Sequence, residues 1–239
     1  MATQCAEPEF QIYSEPKRVL VTGFAPFDIH KVNASWESVK LLKESDLEKD
    51  LNVELVIEEI PVVYDVVEET IPSLWRKHNP LLVVHVGVSN LATCLNLEKC
   101  ATRSGYSRLD EKQAIPSCGK GCLCSLDGNN TEECILTDID LIELSEELNE
   151  LLPDVKTIVS NNAGRYICEY TYYASLSMDS SRTIFVHVPT LDVYSTQQIS
   201  QGLENIIRIL VKQLRIASQD TCTVKSIIFN YSLIKESNK

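Results

Sequence analysis

Residues 81–86, LLVVHV, are apolar at every position but one, and this run constrains the fold more than any other stretch. A half-exposed strand alternates apolar and polar residues, whereas a strand covered on both faces does not need to. The run therefore predicts an inner strand with helices above and below it. Its neighbours agree. Arg18–Thr22 (RVLVT) is β-branched and stops at Gly23, and Leu51–Ile60 is closed by Pro61. Val155–Val159 and Thr183–Val188 also read as strands. In Ala92–Cys100, Leu95 and Leu97 fall on one side and Cys94, Asn96 and Glu98 on the other.

Helical periods lie between these strands. Asn33 can cap a helix from Ala34 to about Leu42, with Trp36, Val39 and Leu42 as its apolar side. Val66–His78 is helical in pattern, and Pro72 should kink or restart it. Ile139–Leu152, Tyr166–Met178 and Thr196–Ile216 follow. The last is the strongest, with Ile199, Leu203, Ile206, Ile207, Leu210, Val211 and Leu214 at three- and four-residue spacing. Alternating strands and helices predict an α/β fold, a three-layer α/β/α sandwich with a mostly parallel central sheet. Residues 1–17 read as a mobile arm and 18–239 as a single domain. Residues 101–138 lack a period and are expected to form a surface excursion, and Val224–Phe229 an edge strand or a tail packed on the body.

Lys+Arg number 22 against Asp+Glu 34, a formal charge of −12. Such a chain is not expected to bind nucleic acid or an anionic membrane surface. Its apolar runs are too short to span a bilayer. The first residues, MATQCAEPEFQIYSEPKR, carry acids and no apolar core, so they are not expected to be a secretory signal. Nine cysteines are then expected to be reduced thiols in the cytoplasm. Triplets of the glycosylation type at Asn33, Asn129 and Asn230 carry no meaning there. The stretch TGFAPFDIH matches neither GxxxxGK[ST] nor GxGxxG, so no phosphate-cradling loop is expected.

In such folds reactive groups gather beyond the carboxyl ends of the strands. Gly23-Phe24, Gly87, Cys168 and His187 each follow or end a strand, which places them on one rim. Cys168 sits one turn into a helix, where unpaired amides and the macrodipole favour a thiolate and could hold an oxyanion. The plainer reading is an inert buried thiol. His187, in TIFVHVP, reads alone as a core histidine, and Glu98 alone as a solvated carboxylate. Together they form the set of a thiol nucleophile, its acid–base partner, and the group that orients the partner. His85, inside the central strand, is assigned a structural role. Cys118, Cys122, Cys124 and Cys134 form C-x3-C-x-C-x9-C, which lacks the second C-x2–4-C pair of a structural zinc site, so no metal is expected; a metal or thiol-exchange site is the alternative reading of this cluster.

The stretches VLVTGFAPFDIHKVNASWE, VVHVGVSN, LEKC, NNAGRYICEYTYY and FVHVP resemble, in order, segments of the pyroglutamyl-peptidase I family of cysteine peptidases, and the animal members above all. The resemblance covers about Arg18 to Leu214. It implies removal of N-terminal pyroglutamate from peptides by a Cys-His-Glu triad, here Cys168, His187 and Glu98, with no cofactor. It also implies that Phe24 and Phe27 line the pyroglutamate pocket, and that backbone groups at Gly87-Val88-Ser89 hold the lactam. Asn33 either helps that pocket or only caps a helix. Arg108 stands at a distance after Glu98 comparable to an arginine of bacterial members. A monomer is favoured. The competing reading is a noncatalytic pyroglutamyl-peptide binder of the same fold.

Overall fold

The computed structural model describes residues 16–27, 31–116 and 133–236, the stretch 218–236 as helical backbone only. The arm, apart from its last two residues, and the cysteines 118, 122 and 124 lie outside the described residues. Six strands form the main sheet: β1 (Lys17–Phe24), β2 (Val53–Ile60), β3 (Leu82–Val88), β4 (Leu95–Glu98), β7 (Thr157–Ser160) and β8 (Thr183–Val188), in the order β2-β1-β3-β8-β4-β7. β5 (Cys100–Thr102) and β6 (Cys134–Leu136) form a separate antiparallel ribbon. The helices are α1 (Ala34–Leu41), α2 (Leu47–Leu51), α3 (Tyr64–His78), α4 (Leu141–Leu151), α5 (Ile167–Leu176) and α6 (Thr196–Glu236).

The sheet is mostly parallel and covered on both faces. Strand alternation divides the core in two. Val19 and Val21 of β1, Leu82, Val84 and Val86 of β3, and Ile184, Val186 and Val188 of β8 face α1, α4 and α6. Leu20 and Phe24, Val83, and Phe185 face α3 and α5. From Leu82 to Gly87 every residue of β3 is buried, which is why the run carries no polar alternation. Each buried Val or Leu there contributes about 1.5–3 kcal/mol.

Several expectations are corrected. α3 starts at Tyr64 and runs unbroken through Pro72, because buried Val67, Ile71, Leu74 and Trp75 pack both halves of the helix against the same core. β2 starts at Val53, since Asn52 adopts left-handed φ (46°) and closes the short α2. The excursion is pinned at both ends: β5 pairs with β6, and Ala101, Tyr106 and Ile135 are buried beside α5. Those anchors are irregularly spaced, so they leave no period to read. Residues 224–229 form no strand and continue α6, as no Gly or Pro interrupts the chain after Ile216.

The direction of two strands also differs from the simple picture. β4 runs antiparallel to β8, and β7 parallel to β4. β7 therefore runs away from the rim where β1, β3 and β8 end. Cys168 does not leave a carboxyl end at that rim. Residues 161–166 carry the chain back, and Cys168 stands there as the second residue of α5.

Candidate active site

The rim begins where β1 meets α1. A Cβ on Gly23 would lie 2.8 Å from the Trp36 Cα, so glycine lets the start of α1 press on the strand end. The Asn33 side chain caps α1 by accepting from the Ser35 amide (3.1 Å) and also takes the Ser35 hydroxyl (2.8 Å). Its amide nitrogen donates to the Ala25 carbonyl at 3.0 Å, and Ser35 Oγ accepts from the Phe24 amide at 3.1 Å. Asn33 is therefore both a helix cap and the tether of the Phe24–Phe27 loop. At 1% exposure it is no glycan acceptor.

His187 and Glu98 meet through the antiparallel pairing. His187 stands opposite Asn96, and Glu98 is two positions further along β4 on the same face, a diagonal that long side chains can span. Imidazole Nδ1 and Glu98 Oε1 are 2.7 Å apart, with both residues buried. The Tyr172 hydroxyl fixes the strand by donating to the Glu98 carbonyl at 2.9 Å. With Nδ1 engaged, Nε2 is left to the thiol. Burial alone would lower the His187 pKa, but hydrogen bonding with Cys168 and with Glu98 outweighs it and raises the value to about 10. The imidazolium form is favoured at neutral pH.

Cys168 enters at the start of α5. Tyr166 at the N-cap supplies no side-chain hydrogen bond, so no side chain caps the amides of the first turn. The preceding loop turns through Gly164 (φ 94°) and Arg165 (φ 49°). Glu169, 2% exposed, secures it: its carboxylate accepts the Arg165 amide at 2.7 Å and the Thr102 amide at 3.0 Å, and it pairs with the Arg165 guanidinium. Behind the sulfur, a Cβ on Gly87 would lie 2.8 Å from Cys168 Sγ. Beneath, fully buried His85 bonds Thr22 Oγ1 through Nδ1 at 2.7 Å, and burial lowers its pKa to about 3. It is a neutral core residue.

All eight residues singled out in the sequence border one cavity of about 430 Å³: Cys168, His187 and Glu98 with Phe24, Phe27, Asn33, Val88 and Arg108. Arg108 is held there by its guanidinium lying 4.0 Å over the Tyr166 ring. Sequence reasoning missed Ser35, Tyr166 and Glu169. Glu169 had a readable signal, a carboxylate next to the thiol in the otherwise uncharged ICEYTYYASL. Tyr166 and Ser35 had none. Among the described residues no group of His, Cys, Asp and Glu could hold a metal ion. No described helix is long and apolar enough to cross a membrane.

A thiol, an imidazole and a buried carboxylate in series, at an uncapped helix start on a three-layer frame, define a thiol-dependent hydrolase. The chain belongs to peptidase family C15, pyroglutamyl peptidase, whose family model matches residues 17–222. It is 43% identical over 205 residues to Pyroglutamyl-peptidase 1 of Mus musculus, covering 85% of this chain and 94% of that one. Identity to Pyroglutamyl-peptidase 1 of Homo sapiens is 44% over 192 residues, covering 80% and 88%. The fold matches the crystal structure of pyroglutamyl peptidase I from Bacillus amyloliquefaciens with a TM-score of 0.68 at 24% identity, over 80% and 94% of the chains. It matches the pyrrolidone carboxyl peptidase from Thermococcus litoralis at 0.71 and 16%, over 84% and 96%.

Proposed function

We propose that this chain is a cysteine peptidase that removes N-terminal pyroglutamate from peptides, with Cys168, His187 and Glu98 as its working groups. Family membership supports the reaction class. The observation that carries the residue roles is the thiol–imidazole–carboxylate series inside one cavity. The Cys168 thiolate attacks the pyroglutamyl carbonyl carbon, and first-turn amides of α5 stabilise the oxyanion. The imidazolium of His187 gives its proton to the departing nitrogen as the C–N bond breaks, leaving a thioester. His187 then takes a proton from water, whose oxygen displaces the sulfur, releasing pyroglutamic acid and restoring the thiolate–imidazolium pair. Glu98 holds the ring with Nε2 toward the sulfur.

Phe24, Phe27 and Val88 would wall the lactam, a small neutral ring that needs apolar contact and backbone hydrogen bonds rather than a charge. Asn33 would act by holding the Phe24–Phe27 loop, and Arg108 by closing the far side. The thiol, imidazole and carboxylate come together within a single chain, so a monomer suffices as the working unit. The net charge of −12 supports peptides, and not nucleic acid or membranes, as partners. The four described cysteines are free thiols, which suits a reducing cytoplasmic setting. No step calls for a cofactor.

The test is release of a chromogenic amine from a pyroglutamyl amide. Cys168→Ala and Cys168→Ser should each lose at least a thousandfold in kcat, on the scale of losing a covalent nucleophile, while keeping the wild-type circular dichroism. Full activity in either variant removes the nucleophile assignment, and turnover of a prolyl amide equal to that of the pyroglutamyl one removes the substrate assignment.

A further inference from the structure

A second cavity, also about 430 Å³, adjoins the first and shares Phe27, Arg108 and Tyr166 with it. Its other walls are Leu109, Asp110, Glu111 and Gln113. The partition between the two is the Arg108–Tyr166 stack, held from behind by the Tyr166 hydroxyl donating to the Leu109 carbonyl at 3.1 Å. This wall is preformed. Asp110, 3% exposed, accepts the amides of Tyr64 at 3.0 Å, Lys112 at 2.8 Å and Ala114 at 3.0 Å. Its charge is thus engaged by the backbone. Glu111 differs: its own amide is anchored to the Val62 carbonyl at 3.1 Å, but its exposed carboxylate has no hydrogen-bond or ionic partner among the described residues.

Pyroglutamate closes on its own nitrogen, so a bound substrate continues from the scissile bond in one direction only. A cavity contiguous with the site is where that continuation can lodge. We propose that the second cavity seats the side chain of the residue following pyroglutamate, and that Glu111 makes it favour a cationic side chain there. Among the described residues the lining carries one cation, Arg108, against the two carboxylates of Asp110 and Glu111, so a lysine or arginine is favoured over a glutamate. Arg108, flat on Tyr166, separates the neutral lactam from this charged compartment. The inference rests on the function proposed above.

The test is kcat/KM on two matched substrates, pyroglutamyl-lysine amide and pyroglutamyl-glutamate amide, each read relative to pyroglutamyl aminomethylcoumarin so that general changes in activity cancel. The wild-type protein should favour the lysine substrate by roughly two- to fivefold at low ionic strength, the range of an exposed ion pair, and less so in high salt. Glu111→Gln should bring the ratio close to one and Glu111→Lys should invert it. A ratio unchanged across wild type and both variants overturns the assignment of Glu111. Failure of wild type to cleave the coumarin substrate is a distinct result and overturns the function on which the assignment rests.

Discussion

Gly87 shows how little room the site leaves around its sulfur. A methyl group there would press on Cys168 Sγ at 2.8 Å and on the Phe185 ring at 2.9 Å. Phe185 is fully buried, with its ring centroid 4.8 Å from that of His187, so the ring cannot yield without dislodging the imidazole. The thiol yields instead. Gly87→Ala should therefore lower kcat by about 100-fold, the scale of a misplacement near 1 Å, and cost about 1–3 kcal/mol of stability from overpacking. Steady-state kinetics and urea unfolding check the two parts separately. The sequence marks Gly87 as the end of a strand, but the Cys168 sulfur that makes glycine necessary there is visible only in three dimensions. His187 stood out because it interrupts an apolar strand and Cys168 because it stands near a helix start, whereas Glu98 fits the alternation of its strand and gained meaning only beside the other two.

Helix α5 presents the thiol at the rim, and Glu169 ties the start of the helix to the body. This carboxylate ties the loop at Arg165 to the ribbon at Thr102, joining the helix start to the excursion. Glu169→Ala would leave two backbone amides without an acceptor, so it should destabilise the protein by about 2–4 kcal/mol. It should also lower kcat more than it raises KM, because it loosens the nucleophile and leaves the lactam walls untouched. Urea unfolding with kinetics on one substrate checks both. At this scale, element type and strand faces could be read from sequence: alternation put Glu98 opposite Leu97 correctly, and the β3 run announced two covered faces. Strand direction could not, because a period of two is the same read from either end. The reversal of β4 and β7, and with it the route by which Cys168 reaches the rim, follows from pairing between distant segments.

For the molecule as a whole, the buried imidazole couples folding to pH. Its folded pKa of about 10 lies above the ordinary value of 6.5. A group raised in this way stabilises the fold fully below pH 6.5 and loses that contribution as pH climbs through about 10. In Cys168→Ala the ring keeps only Glu98 as hydrogen-bond partner, so it should titrate at lower pH, and the alkaline loss of stability, still beginning near pH 6.5, should be smaller and complete at lower pH. Imidazole NMR titration and urea unfolding at a series of pH values check this. Fold class and layer order were legible at this scale from composition and periodicity. The pairing order β2-β1-β3-β8-β4-β7 was not, since it depends on crossovers that leave no local mark.

The β4–β8 pairing has a further effect on quality control. Moving β4 by a single position against its neighbour would turn Leu97 toward the imidazole and bury Glu98 among aliphatic side chains on the opposite side. Such a misaligned molecule could keep its helices and its size and still be inert. Specific activity per mole of helical protein therefore counts the fraction of a refolded preparation that aligned correctly, a quantity that far-ultraviolet spectroscopy alone does not see.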